Sequence, residues 1–212
     1  MNIEFQNAMA ALPLVAILRG ITPDEVEAVG DQLVASGFRL VEVPLTSPDP
    51  FRSIGLLVRL LGPDVIVAAG TVRRNDQLDE LVAVGGRMMV TPHADTALIR
   101  AASDRGLSTL PGVATPTEAF AALDAGADGL KLFPSDMIPP SAVRAFRTVV
   151  GPQIHLCPTG GVTPADLNRY KQAGATGFGL GGALYRPGDT ASEVRSKADA
   201  FVTSWQTVSA HG

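Results

Sequence analysis

Short apolar runs alternate with longer amphipathic segments along the chain. The runs are short and several are rich in β-branched residues, which is the pattern of buried parallel strands. The amphipathic segments between them predict helices. The eight predicted strands cover residues 14–19, 40–45, 65–72, 87–92, 108–113, 129–134, 155–162 and 177–182.

Helix boundaries recur with the same local signals. Thr22 and Thr115 are each followed by proline and, three positions on, by glutamate, which together predict an N-cap and a capping box. Thr163-Pro164 repeats the first half of that signal. Predicted helix ends carry a glycine just before the next strand, at Gly37, Gly62, Gly85, Gly106, Gly126, Gly151 and Gly174.

Eight strand–helix units predict an α/β fold, and specifically a (β/α)₈ TIM barrel, better than an open sheet. Residues 2–11 predict a short additional helix before the first strand. The 212 residues are expected to form a single domain, residues 1–212. A doubly wound open sheet stays open as an alternative, because strand alternation alone does not require closure.

Composition narrows the class of protein. The net charge of −4 argues against partners such as nucleic acid or an anionic membrane surface. Cys157 is the one cysteine, so no intramolecular disulfide forms and a reducing, cytoplasmic location is expected. The apolar stretch 9–18 is interrupted by Pro13 and is too short to span a bilayer.

Two charged residues interrupt apolar strands. Lys131 lies between Leu130 and Leu132, and Glu42 lies between two valines. Side chains alternate along a strand, so both charges are expected inside the barrel, where catalytic groups of this fold lie near the C-terminal strand ends. Apolar surroundings favour the neutral, nucleophilic form of an amine. The alternative is a buried ion pair with a purely structural role.

Other polar positions at strand ends predict a substrate site. Arg19 is placed to bind a carboxylate, or alternatively faces solvent. Thr71 is placed to donate to a substrate oxygen, or alternatively serves a turn. Two glycine pairs follow the seventh and eighth strands, where backbone N–H groups often bind phosphate; tight turns are their alternative role. The pairs are Gly160-Gly161 and Gly181-Gly182.

The sequence disfavours two further chemistries, a nucleophilic cysteine and a metal site. His155 and Cys157 lie two apart on one strand, which favours a buried thiol beside a polar neighbour over a nucleophilic dyad. Glu42, His93 and Asp136 lie near strand ends but lack a metal-ligand spacing. No metal and no cofactor are expected.

The motifs together resemble those of the 2-keto-3-deoxy-6-phosphogluconate/phosphogalactonate aldolases. The resemblance runs in order from about residue 12 to 205. The motifs are ILRGITPDE (17–25), VEVPLTSP (41–48), AAGTV (68–72), VTPHAD (90–95), PGVATPTEA (111–119), LKLFPS (130–135), TGGVTP (159–164) and GLGGALY (179–185).

This resemblance implies a class I aldolase that cleaves a phosphorylated sugar acid. It implies that Lys131 forms the Schiff base and that Glu42 is the general acid/base. It also implies that Thr71 helps to hold the pyruvate moiety, with Pro92 and Phe133 shaping the pocket. By the same resemblance Gly160, Gly161, Gly181 and Gly182 bind phosphate, and the protein forms a homotrimer.

The choice of epimer depends on a few positions. The stretch PLTSP (44–48) resembles the PLNSP of the phosphogalactonate branch, with Arg19 as the carboxylate contact. Thr46 in place of asparagine and CPTGG (157–161), which is closer to the phosphogluconate branch, depart from that branch; Ala183 replaces a residue that is often Ser or Asp. A bifunctional aldolase, a phosphosugar isomerase or epimerase, and a non-catalytic binding barrel are the alternatives.

Overall fold

The computed structural model describes residues 2–210. Short buried strands alternate with helices along these residues. The strands are β1 Leu14–Ile17, β2 Leu40–Pro44, β3 Ile66–Gly70, β4 Met88–Val90, β5 Ser108–Leu110, β6 Gly112–Val113, β7 Gly129–Leu132, β8 His155–Pro158 and β9 Phe178–Leu180.

A helix precedes β1, and most of the later strands are followed by one. The α-helices are α1 Ile3–Ala11, α2 Pro23–Ala35, α3 Pro50–Leu61, α4 Asn75–Ala83, α5 Thr96–Asp104, α6 Pro116–Asp124, α7 Pro140–Val149, α8 Leu167–Gln172 and α9 Ala191–Ala210. Single 3₁₀ turns occupy Ser135–Met137 and Pro164–Asp166.

The strands form two parallel sheets. Six strands pair in the order β5-β4-β3-β2-β1-β9, and three pair in the order β6-β7-β8. The predicted strand 108–113 is divided at Pro111, which has no backbone N–H to donate. Its first part pairs with β4 and its second part with β7. The α/β class with parallel strands is confirmed.

Backbone contacts join the two sheets at two places. On one side the N–H of Asp128 donates to the carbonyl of Thr109 at 3.1 Å, just before β7 begins. On the other side Thr159 forms an isolated parallel bridge with Gly179 of β9. The two sheets therefore contact each other along both outer edges.

Two apolar clusters lie on opposite sides of the strands. The larger one fills the layer between strands and helices, and includes Leu130, Leu132, Val41 and Val43. We call the smaller one the inner cluster. It consists of Phe5, Ala8, Met9, Val15, Ile17, Leu40, Ile66, Ala68, Met88, Val90, Leu110 and Cys157.

Helix α1 covers one end of the inner cluster. The side chain of Asn2 caps the helix by accepting from Glu4 N at 2.9 Å, and the N–H of Asn2 donates to Asp128. Gln6 bonds the ring of His155 on β8 at 2.9 Å between Oε1 and Nε2. The predicted helix at residues 2–11 is therefore confirmed, and these bonds attach it to the start of β7 and β8.

The helix signals in the sequence correspond to real caps. Thr22 and Thr115 both form capping boxes with the glutamate three residues on. Thr163 begins only a 3₁₀ turn before α8. The predicted glycine stops adopt positive φ except Gly151, because α7 ends one residue earlier in extended Val150. Among residues 2–210, no helix combines the length and the apolar character that crossing a membrane requires.

Candidate active site

Lys131 and Glu42 face each other on the side of the strands that carries the inner cluster. Glu42 follows inner-cluster residue Leu40 by two positions on β2, and Lys131 is in register with inner-cluster residue Cys157 on β8. Both side chains are buried, at 6% and 1% exposure. Lys131 Nζ lies 4.0 Å from Glu42 Oε2. The predicted inward direction of both side chains is what the structure shows.

The pair is not a closed ion pair. A separation of 4.0 Å exceeds hydrogen-bonding distance, and Glu42 Oε1 has no hydrogen-bond partner among the described residues. A buried carboxylate that serves only stability would gain by direct contact with the ammonium. The open geometry leaves the amine and a carboxylate oxygen free to contact a third group.

Gly70 makes the position of Glu42 possible. A Cβ at Gly70 would overlap Glu42 Oε1 and lie 2.6 Å from its Cδ. Gly70 ends β3 and is the register partner of Pro44, two residues after Glu42. This glycine has no positive φ, so it is required here for space rather than for backbone conformation.

Phe133 and Pro92 lie beside the lysine. The Phe133 ring centroid is 5.3 Å from Lys131 Nζ, which is cation–π distance. Gly112 is the register partner of Lys131, and a Cβ there would lie 2.5 Å from the carbonyl carbon of Pro92. The end of β4 therefore approaches β6 closely, and this brings Pro92 to the lysine side of the site.

Arg19 lies at the mouth of the site. It is exposed, and its Nη1 donates to Thr46 Oγ1 at 3.0 Å. The loops that follow β1 and β2 are also joined by the N–H of Gly20, which donates to Ser47 Oγ at 2.9 Å. The guanidinium has no carboxylate partner among the described residues and is therefore available to an anionic group.

Thr71 has an unusual backbone conformation. Its φ is +59°, in the left-handed region that β-branched residues rarely adopt. Such strain is typical of functional sites and costs on the order of 1–3 kcal/mol. A simple turn at this position would favour glycine.

The two glycine pairs follow neighbouring strands. The bridge between Thr159 and Gly179 brings the ends of β8 and β9 together. Gly160 and Gly161 both have positive φ, at +103° and +68°. A Cβ at Gly181 would have no heavy atom within 4 Å, so the backbone at this residue is open to a ligand.

The Cys157–His155 dyad is disfavoured by the structure as well. Burial raises the pKa of the Cys157 thiol to about 12, against a smaller lowering by Arg147. The His155 ring bonds Gln6 and Thr176 instead of the thiol. The thiolate needed for nucleophilic attack is therefore scarce near neutral pH.

The candidate metal ligands near the strand ends are Glu42, His93 and Asp136. Within residues 2–210, the His, Cys, Asp and Glu side chains form no group of three or more that is placed to hold a metal ion. The site instead contains the amine of Lys131, the carboxylate of Glu42 and the aromatic ring of Phe133.

Two features were missed by reasoning from the sequence. The role of Gly70 is not predicted by the sequence analysis, although a glycine that ends the strand beside Glu42 is a signal that space is needed there. Arg73 is not predicted either; it follows Thr71 by two residues, and both residues line one cavity.

The chain is similar to aldolases of known sequence and structure. The family model for KDPG and KHG aldolase matches residues 5–194. The chain is 44% identical to the probable 2-dehydro-3-deoxy-6-phosphogalactonate aldolase of Rhizobium meliloti, over 92% of each chain. It is 43% identical to the 2-dehydro-3-deoxy-6-phosphogalactonate aldolase of Escherichia coli, over 92% of this chain and 95% of that one. A solved native KDPGal structure matches with a TM-score of 0.92 and 42% identity, covering 94% and 97% of the two chains.

Proposed function

The chain belongs to the KDPG and KHG aldolase family, and we propose that it cleaves 2-dehydro-3-deoxy-6-phosphogalactonate to pyruvate and D-glyceraldehyde 3-phosphate. The observation that carries this proposal is the buried Lys131, held 4.0 Å from Glu42 Oε2, while Glu42 Oε1 has no hydrogen-bond partner among the described residues. The names of the two relatives at 43–44% identity support the choice of substrate.

Lys131 acts as the nucleophile. Its neutral Nζ adds to the C2 carbonyl of the sugar acid. Loss of water, with uptake of one proton from solvent, gives a protonated imine, and the later hydrolysis returns that proton. Glu42 accepts the proton of the C4 hydroxyl, and the electrons of the C3–C4 bond move into the imine. The products of this step are the aldehyde and an enamine bound to the lysine.

Glu42 then completes the cycle. It returns its proton to C3 of the enamine, and hydrolysis of the imine releases pyruvate and the free amine. One carboxylate serves both transfers because they occur in sequence. Its position opposite Nζ supports this double role.

The remaining predicted residues bind the ends of the substrate. Arg19 and Thr71 hold the carboxylate end, while Pro92 and Phe133 form the wall beside the imine. The phosphate is held by backbone N–H groups of the two glycine pairs; the open space at Gly181 and the positive φ of Gly160 and Gly161 support this assignment. The pairs are Gly160-Gly161 and Gly181-Gly182.

In this proposal the two sheets together form one closed (β/α)₈ barrel. Support comes from the hydrogen bond between Asp128 and Thr109 and from the bridge between Thr159 and Gly179, which lie at the two edges where the sheets meet. The inner cluster, covered at one end by α1, would be the barrel interior.

The assembly and location belong to the same proposal. A cytoplasmic homotrimer would bury apolar side chains that this chain exposes, among them Phe120, Met137 and Val149. Light scattering of the purified protein tests the assembly. A trimer has three times the chain mass of 22.0 kDa, and a mass of one or two chains would contradict it.

The experiment for substrate choice compares kcat/KM for the galactonate and gluconate epimers by pyruvate release. A preference for the galactonate, about ten- to a hundredfold, is expected from one matched hydroxyl contact. Equal values would indicate a bifunctional aldolase, and preference for the gluconate would overturn the substrate assignment. Isomerisation or epimerisation without pyruvate would indicate a different reaction on the same site.

A further inference from the structure

A cavity of about 260 Å³ opens beside the strained Thr71, at the carboxyl ends of β2 and β3. Because Thr71 and Thr46 both line it, this cavity adjoins the site already described. Its position is separate from the glycine pairs, which follow β8 and β9. The residues that line the cavity are Leu45, Thr46, Thr71, Arg73, Arg74 and Gln77.

The two arginines of this cavity differ in how their charges are used. Arg74 is paired with Asp76 through hydrogen bonds of 3.0 and 2.9 Å, and this lowers the pKa of the Asp76 carboxyl. The Arg73 side chain has no hydrogen bond or ion pair among the described residues. Arg73 is thus the cation in this loop that is available to an anion.

The backbone of Arg73 is fixed even though its side chain is free. Gln77 Oε1 accepts from the N–H of Arg73 at 2.8 Å and from the N–H of Arg74 at 3.2 Å, at the start of α4. A side chain on an anchored backbone loses less entropy on binding than one on a mobile loop.

A second cation lies next to the lining of this cavity, in the loop that follows β1. Arg19 donates to Thr46 Oγ1 at 3.0 Å, and Thr46 lines the cavity. Among the described residues, two guanidinium groups thus lack a carboxylate partner: that of Arg73, which lines the cavity, and that of Arg19, which bonds a residue of its lining, in a chain of net charge −4. Local cations of this kind select an anionic group.

We propose that Arg73 is a second carboxylate-binding residue, which acts with Arg19 on the C1 carboxylate of the 2-oxo acid substrate. The inference rests on the proposed aldolase function. The imine forms at C2, so C1 must lie next to Lys131. The cavity at β2 and β3 is separate from the glycine pairs assigned to the phosphate at the other end of the substrate, and a carboxylate is the group left for it.

The test measures the pyruvate concentration that gives half-maximal trapping by borohydride. Arg73→Met is compared with Arg74→Met, which removes the same charge from the adjacent residue. For Arg73→Met we expect the half-saturating concentration to rise about three- to tenfold, an effect discounted for solvent exposure. For Arg74→Met we expect less than a twofold change, because its guanidinium is already committed to Asp76.

Pyruvamide, a neutral analogue, separates recognition of the carboxylate from other effects. Its half-saturating concentration should be the same in Arg73→Met and in the unsubstituted protein, and both variants should keep the unsubstituted melting temperature. An unchanged pyruvate value in Arg73→Met, equal rises in both variants, or an equal loss for pyruvamide would each overturn the role of Arg73. Failure of the unsubstituted protein to trap pyruvate would overturn the proposed function itself, and this inference with it.

Discussion

The carboxylate of Glu42 occupies the space that a side chain at Gly70 would fill. A Cβ on Gly70 would lie 2.6 Å from Glu42 Cδ, well inside van der Waals contact. The two residues belong to neighbouring strands, β2 and β3. The position of the Glu42 carboxylate thus depends on the absence of a side chain at Gly70 on the neighbouring strand.

Replacing Gly70 by alanine should therefore impair catalysis more than folding. The backbone at Gly70 accepts alanine, but the added methyl group displaces the Glu42 carboxylate. We expect kcat for aldol cleavage to fall by about 10²-fold or more, as for loss of a positioned acid/base. Gly55→Ala is the control, since a Cβ there meets Arg59 at 3.5 Å. Normal kcat in Gly70→Ala would contradict the spatial argument.

Glu42→Gln tests the proton shuttle without changing the shape of the site. The amide keeps the volume of the carboxylate but does not accept the C4 hydroxyl proton. We expect turnover to fall about 10²–10⁴-fold, while pyruvate is still trapped on the enzyme by borohydride. If this variant turns over at nearly the normal rate, Glu42 is only a structural neighbour of Lys131.

Cys157 should be inert in the folded protein. Burial raises the pKa of its thiol to about 12, and the residue has no exposed surface. We expect iodoacetamide at pH 8 to leave the native protein unmodified and to label one thiol after denaturation. Cys157→Ala should retain cleavage activity. Rapid labelling of the native protein with parallel loss of activity would instead support a nucleophilic Cys157–His155 dyad.

His155 should make stability depend on pH. Burial, with a smaller contribution from Arg147, lowers the pKa of His155 below its ordinary value of 6.5. Below about pH 6.5 the His155 ring therefore binds a proton more readily in the unfolded chain than in the folded protein. The free energy of unfolding decreases as pH falls through this range. Above that pH the ring is neutral in both states and adds no slope.

Urea denaturation of His155→Gln between pH 5 and 7.5 measures this contribution. The variant should show a smaller decrease toward acid than the unsubstituted protein. Identical slopes in the His155 variant and the unsubstituted protein would show that burial of this ring does not govern the pH dependence.

Local features of the fold were predictable from the sequence. The capping boxes at Thr22 and Thr115 depend on residues within one helical turn, and both are present. The direction of Lys131 and Glu42 follows from strand alternation. The division of the predicted strand 108–113 at Pro111 was not predicted. The two parts pair with different strands, β4 and β7, and the sequence alone does not show this pairing.

Features that join distant parts of the chain were not predictable. The 4.0 Å separation of Lys131 and Glu42 depends on how β2 and β7 face each other. The overlap between Gly70 and Glu42 depends on register, and the positive φ of Thr71 on strain imposed by its surroundings. The difference between Arg73 and Arg74 depends on the pairing of Arg74 with Asp76, which the sequence does not show.

Borohydride reduction in the presence of pyruvate, followed by peptide mass mapping, tests the central claim most directly. The chain has three lysines, and the other two are engaged: Lys171 donates to Val208 O and Lys197 pairs with Asp189. We expect inactivation with one pyruvate-derived adduct on Lys131 and none in Lys131→Arg, whose guanidinium does not form an imine. An adduct on Lys171 or Lys197, or no adduct with cleavage activity intact, would contradict the account.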